Sequence, residues 1–165
     1  MFKKFAVSLP LAVAVLGSSA VMAANDASTV INISATIPTK QFHAQPRDPN
    51  FGKAEVMGFN PVSGELSPLR ATFDVKNTAG SVHAFIQGGP SAAALYNGTS
   101  SIAVTNTFNG VVLTDTPQEV VDDPTSTPGT QADLVITPAK PKDTDNGRFD
   151  ASYTVIFDDV PRTTF

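Results

Sequence analysis

The chain has 165 residues, of which 41% are hydrophobic and 16% charged, with 11 basic against 15 acidic side chains. That is enough apolar material for the core of one domain and too much for a disordered chain. The acidic balance makes nucleic acid a poor partner, and a chain without cysteine has no disulfide, no thiol nucleophile and no thiolate metal ligand.

Residues 1–23 read as a signal peptide. Lys3 and Lys4 form a positive start, residues 5–16 are apolar apart from Ser8 and Pro10, and Gly17, Ser18, Ser19 and Ala20 lead to a small-residue cleavage site. Val21 and Ala23 suit that site, with a cut after Ala24 as the alternative. The apolar run is shorter than the roughly 20 residues of a membrane span, so the mature chain is expected outside the cytoplasm. Its charge there is more negative, nine basic side chains against fifteen acidic ones once Lys3 and Lys4 are gone.

Beyond the leader, short alternating runs are separated by Gly, Pro, Asn and Asp, with hardly any helical periodicity. In residues 29–37, Ile31, Ile33, Ala35 and Ile37 share one face and Val30, Asn32, Ser34 and Thr36 the other. Pro38 ends the run, since proline donates nothing to a ladder. Taken alone, this is an ordinary first strand of the chain's own sandwich. Strands are predicted over 54–59, 70–76 (Ala71, Phe73 and Val75 inward) and 82–87, and one helical turn over 90–95. Runs 101–108 and 111–114 flank Asn109-Gly110, a pair that favours a type I′ hairpin turn. Runs 132–137 and 149–158 complete the set, and in the last Phe149, Ala151, Tyr153, Val155 and Phe157 share a face. Residues 122–131 and 138–147 read as polar loops. Eight strands so spaced predict one all-β sandwich domain.

Little in this chain points to catalysis. His83 sits in a predicted strand with Val82 and Ala84 facing the other way, and His43 has no ligand spacing around it. Asp143, Asp145, Asn146 and Gly147 superficially resemble a calcium loop, but Gly147 is one position early and Thr154 stands where the bidentate Glu belongs. The pairs Asp122-Asp123 and Asp158-Asp159 read as solvated strand ends, and no two carboxylates single themselves out for glycoside hydrolysis. Nucleophile-elbow and phosphate-loop motifs are absent, and Gly88-Gly89-Pro90 is a turn. Asn32-Ile33-Ser34 and Asn97-Gly98-Thr99 match a glycosylation pattern that is common by chance. No enzyme activity, cofactor or metal is expected.

Four stretches carry a resemblance: residues 34–38 (SATIP), 70–78 (RATFDVKNT), 107–113 (TFNGVVL) and 132–138 (ADLVITP). In this order, and over essentially the whole mature chain, the sequence resembles the major pilins of the colonisation-factor-antigen type, assembled by the alternate chaperone–usher route. The resemblance implies an incomplete immunoglobulin-like sandwich with an N-terminal donor-strand extension, residues 24–38, ahead of a pilin domain, residues 39–165. Each extension would fill an apolar groove of the neighbouring subunit by β-strand addition. Ile31, Ile33, Ala35 and Ile37 would enter the groove, and Phe149, Ala151, Tyr153, Val155 and Phe157 would form one of its walls. Burying three Ile and one Ala would contribute roughly 5–10 kcal/mol per junction before the cost of ordering the segment.

The implied function is that of the structural major subunit of an adhesive pilus. Its implied partners are copies of itself, a periplasmic chaperone, an outer-membrane usher and a minor tip adhesin, and its place is the fimbrium at the cell surface. The alternative is a secreted or surface binding module that recognises a host ligand directly, with Arg47, Phe51 and Tyr96 as exposed contacts. About 140 mature residues leave no room for a separate receptor-binding domain.

Overall fold

The structure is a computed structural model that describes residues 33–34 and 42–163. The leader lies outside the described residues, and so do Ile31, Ala35 and Ile37; Ile33 and Ser34 are exposed and in no strand.

Twelve short strands follow in chain order: β1 (Phe42–Pro46), β2 (Phe59–Asn60), β3 (Glu65–Leu66), β4 (Leu69–Asn77), β5 (Gly80–Ile86), β6 (Leu95–Tyr96), β7 (Ser101–Ile102), β8 (Val104–Phe108), β9 (Val111–Val112), β10 (Gln118–Val121), β11 (Thr130–Pro138) and β12 (Val155–Pro161). A 3₁₀ turn covers Pro90–Ala93, and α1, the one short helix among the described residues, covers Asp123–Ser126. Strands β1-β4-β11-β8-β9 form a five-stranded sheet and β10-β5-β12 a three-stranded one, with β2-β3 and β6-β7 as small hairpins. All pairings are antiparallel.

The two larger sheets face each other as a β-sandwich, because each offers one apolar face at every second residue. Ala71, Phe73 and Val75 of β4 and Ala132, Leu134 and Ile136 of β11 meet Val82, Ala84 and Ile86 of β5 in one core. Phe73, Phe108 and Phe157 stack around its centre, with ring centroids 4.9–5.6 Å apart. Asn109 (φ 52°) and Gly110 (φ 82°) both take the positive angles that the type I′ turn between β8 and β9 requires.

Several sequence expectations need correction. Run 54–59 forms a strand only at its last residue, within Phe59–Asn60. Run 101–108 breaks into β7 and β8, which join different sheets. Strands β1, β3, β6 and β10 escaped notice because they are short and lack clean alternation. The last strand is Val155–Pro161, shifted along from 149–158. Its partner β5 ends at Ile86, where Gly88 and Gly89 turn the chain at φ 81° and 77°. Alternation without a ladder partner does not make a strand.

The acidic pairs are also more engaged than solvation implies. Asp122 caps α1 by accepting from the Thr125 N–H at 3.2 Å. Asp123 takes a two-pronged hydrogen bond from Arg162, at 2.7 and 2.9 Å, which with the Thr127 hydroxyl holds its carboxyl below the usual value. Asp159 accepts from Asn77 Nδ2 at 2.7 Å, and buried Ser126 donates to the Gly80 carbonyl at 2.5 Å. These bonds tie the C-terminal end of β12 to the corner between β4 and β5.

Gly80 lies at that corner, and a methyl group there would run into the Val160 carbonyl oxygen and come within 2.7 Å of the Arg162 nitrogen. Gly80→Ala is therefore expected to lower stability by about 1–3 kcal/mol in denaturant unfolding. Gly58→Ala, whose methyl would meet only Ser67 Oγ at 3.6 Å, should be near neutral and serves as the control.

Candidate functional site

The three-stranded sheet covers only part of the five-stranded one, and the uncovered strip forms the floor of an apolar groove of about 1180 Å³. Phe73 of β4, Leu134 and Ile136 of β11 and Val104 of β8 supply the floor, with Ala93, Leu95 and Ile102 at one end. The four floor side chains are buried less completely than the centre of the closed core. Phe73 and Ile136 keep 6% and 8% of their surface, whereas Val82, Ala84, Ile86 and Phe108 keep none.

One wall is the chain leading into and along β12. Phe149, Ala151, Tyr153, Val155 and Phe157, the five residues the sequence puts on one face, all line the groove. Only Val155 and Phe157 belong to β12; the preceding stretch is held by the bridge between Tyr96 and Asp150 and by the Gln87 N–H bonded to the Thr154 carbonyl at 3.0 Å. Among the described residues, β12 pairs with β5 alone, so its groove-side edge carries unpaired backbone groups. The opposite wall is the irregular stretch from Phe51 to Met57, with Phe59 and Leu66 of the β2–β3 hairpin above it.

Charge is confined to the rim, at Lys53, Glu55, Asp145, Arg148 and Asp150. Arg148 and Asp150 pair at 2.8 Å, and the Lys142 N–H, with the Ser100 hydroxyl, holds the Asp145 carboxyl below its usual value. Inside, the polar feature is Tyr153, whose hydroxyl donates to Asn106 Oδ1 on β8 at 2.6 Å. Asn106 is buried, and its Nδ2 has no partner. Burial pushes the Tyr153 hydroxyl above its usual value.

The other residues singled out in the sequence do not converge. His43 lies in the five-stranded sheet and His83 in the three-stranded one, 3.8 Å from Glu119. Phe51 joins the groove and packs edge-on against Phe73, whereas Arg47 sits 3.7 Å from Asp74 and the Tyr96 hydroxyl bonds within its own turn to the Gly98 carbonyl. The groove floor and Asn106 carry no local sequence signal, since they come from strands far apart in the chain.

A groove of this size exceeds the roughly 300–1,000 Å³ of small-ligand pockets and offers an unpaired strand edge with apolar sites beside it. A family model for the CS1 type fimbrial major subunit matches residues 27–158. The chain belongs to this family. It is a structural subunit of a surface fimbrium, one that polymerises with its own kind. No curated protein sequence matches the pilin. Among solved structures, its fold is similar to that of the CooA pilin subunit from enterotoxigenic Escherichia coli, with a TM-score of 0.53, 14% identity, and coverage of 72% of this chain and 86% of that one.

The Tyr153 hydroxyl makes a direct test of the groove's interior. Its raised folded value means that the neutral phenol is favoured by folding. Its contribution is therefore full below about pH 10 and is lost as pH rises through the folded value. Tyr153→Phe should flatten that alkaline decline in stability. At neutral pH it should cost about 1–3 kcal/mol, because Asn106 Oδ1 then joins Nδ2 without a partner. Thermal unfolding across pH reads both effects.

Proposed function

We propose that the pilin polymerises by donor-strand complementation, in which the N-terminal extension of one copy lies along β12 in the groove of the next. The observation that carries this reading is an apolar groove beside a sheet edge with no partner among the described residues. The alternating run 29–37 and the wall 149–157 are both nine residues long, so a donor that extends the β12 ladder spans the wall, about 30 Å at the rise of a β-strand. Ile31, Ile33, Ala35 and Ile37 face the floor in this arrangement, and their backbone satisfies the open edge.

The same reading assigns residues 1–23 to export into the periplasm, 24–38 to the donor and 39–165 to the acceptor domain. A periplasmic chaperone covers the groove until an outer-membrane usher brings the next donor, and a minor adhesin sits at the tip. A domain whose groove must receive an apolar strand has little need of catalytic groups, and no enzyme activity is assigned to it.

Three versions of the mature chain test this: the native form, one lacking residues 25–38, and one with that segment moved behind Phe165 through a flexible linker. The native form is expected to polymerise, the shortened one to melt readily and the rearranged one to be a stable monomer. A native chain that is already a stable monomer and gains nothing from the rearrangement would overturn the proposal. Ile33→Asp, which puts a charge into the groove, should reduce polymer by more than about tenfold, since a buried unpaired carboxylate costs several kcal/mol.

Residues 149–154 add a local readout. They have no continuous ladder partner among the described residues, and a strand laid along the groove gives them one. Their amide hydrogens are expected to exchange markedly more slowly in the rearranged monomer than in the shortened chain.

A further inference from the structure

We propose that Tyr153 fixes the register of the donor by standing opposite Ala35 of the neighbouring copy. This rests on the donor-strand reading and adds the residue pairing to it.

Tyr153 is the middle member of the five wall residues and the one whose tip is tied down. Its ring crosses from the wall beside the three-stranded sheet to β8 in the five-stranded sheet, where the hydroxyl reaches Asn106 Oδ1 at 2.6 Å. Asn106 is 1% exposed and its Nδ2 already lacks a partner, so moving the ring strips the buried amide of its one side-chain bond. The ring is therefore a fixed bar in the lining of the groove, and the residue laid beside it must be small.

The donor's inward series is Ile31, Ile33, Ala35, Ile37, and only the alanine ends at Cβ. With Ala35 opposite Tyr153, a step of two residues either way puts Ile33 and Ile37 opposite Ala151 and Val155, the two small wall residues. Ile31 then falls opposite Phe149 or Phe157. Once the donor extends the β12 ladder back through residues 149–154, these pairings hold whether it runs parallel or antiparallel to the wall. Shifting the donor by one step forces an isoleucine against the bar and sets the alanine against a site that leaves a void.

The absence of native cysteine makes the register measurable by cross-linking in the full mature chain. Fibres that keep Ala35 and Tyr153 and carry Ile33→Cys with Ala151→Cys or with Val155→Cys, oxidised and run without reductant, should form in one of these two a covalent ladder at least about fivefold stronger than Ile33→Cys/Phe149→Cys or Ile33→Cys/Phe157→Cys, whose Cβ atoms lie out of disulfide reach. A second pair does not depend on the cysteine variants folding. Ala35→Phe should reduce polymer by about tenfold or more through overpacking, and Tyr153→Leu in the same chain should restore most of it while Val155→Ala does not. The proposal is overturned if Ile33 cross-links best to Phe149→Cys or Phe157→Cys, if Ala35→Phe polymerises normally, or if only Val155→Ala restores growth. Each of those results leaves the donor strand in the groove. If none of the donor cysteines cross-links, or Ile33→Asp polymerises normally, donor-strand complementation itself fails.

Discussion

A five-stranded apolar face opposed by three strands cannot be covered along its whole width. Strands sit about 4.8 Å apart, so each missing strand exposes a band of side chains to water. Here that band consists of Phe73, Val104, Leu134 and Ile136, each of which keeps a little exposure, whereas Val82, Ala84, Ile86 and Phe108 keep none. Everything particular to this pilin follows from the mismatch. The chain has no disulfide to compensate for an unfinished core and little charge to solvate one. On the donor-strand reading, a subunit that always meets its neighbours need not close its own sandwich.

The groove is shaped differently at its two ends. Beyond Val155, β12 is laddered to β5 and locked by Arg162 on Asp123, Asp159 on Asn77 and the close approach at Gly80. Before Val155, the wall has lost its partner strand and is held by isolated bonds to Tyr96 and Gln87. On the donor-strand reading, the rigid end has its geometry set in advance, so an incoming strand loses little freedom in aligning with it. The loose end, outside the β5 ladder, gains a ladder partner from that strand. Tyr153 lies in that loose stretch, but its tie to Asn106 gives it a fixed position there.

The groove was legible in the sequence only in part. Alternation in 149–158 grouped Phe149, Ala151, Tyr153, Val155 and Phe157, and all five line the groove, but so do Asp150 and Ser152, so a period of two does not hold in the stretch before β12. The same alternation misplaced the strand ends, since pairing depends on β5, and β5 stops at its glycine turn. Long strands such as β4 and β11 and the Asn109-Gly110 hairpin followed from local chemistry. Two-residue strands like β6 and β7 carry no periodicity to read. Asn106 was invisible for another reason. Nothing in Val104–Phe108 says that its asparagine is buried until Tyr153, 47 positions along, is seen to reach it.

On the donor-strand reading, folding and assembly are one equilibrium. The donor completes the core of its neighbour, so the free energy that holds two subunits together also keeps the acceptor folded, as for any ligand that binds only the native state. Each copy carries both donor and groove, and a head-to-tail contact of this kind has no symmetry that closes it, so it extends into a fibre. A polar tie inside the groove then has a use that its modest energy conceals. Three isoleucines would fit an apolar trough in more than one register, and a slip of one step would pass along the fibre as a change in rise per subunit. A single fixed ring opposite a single alanine penalises each slipped register at every junction, while the surrounding apolar burial supplies the strength.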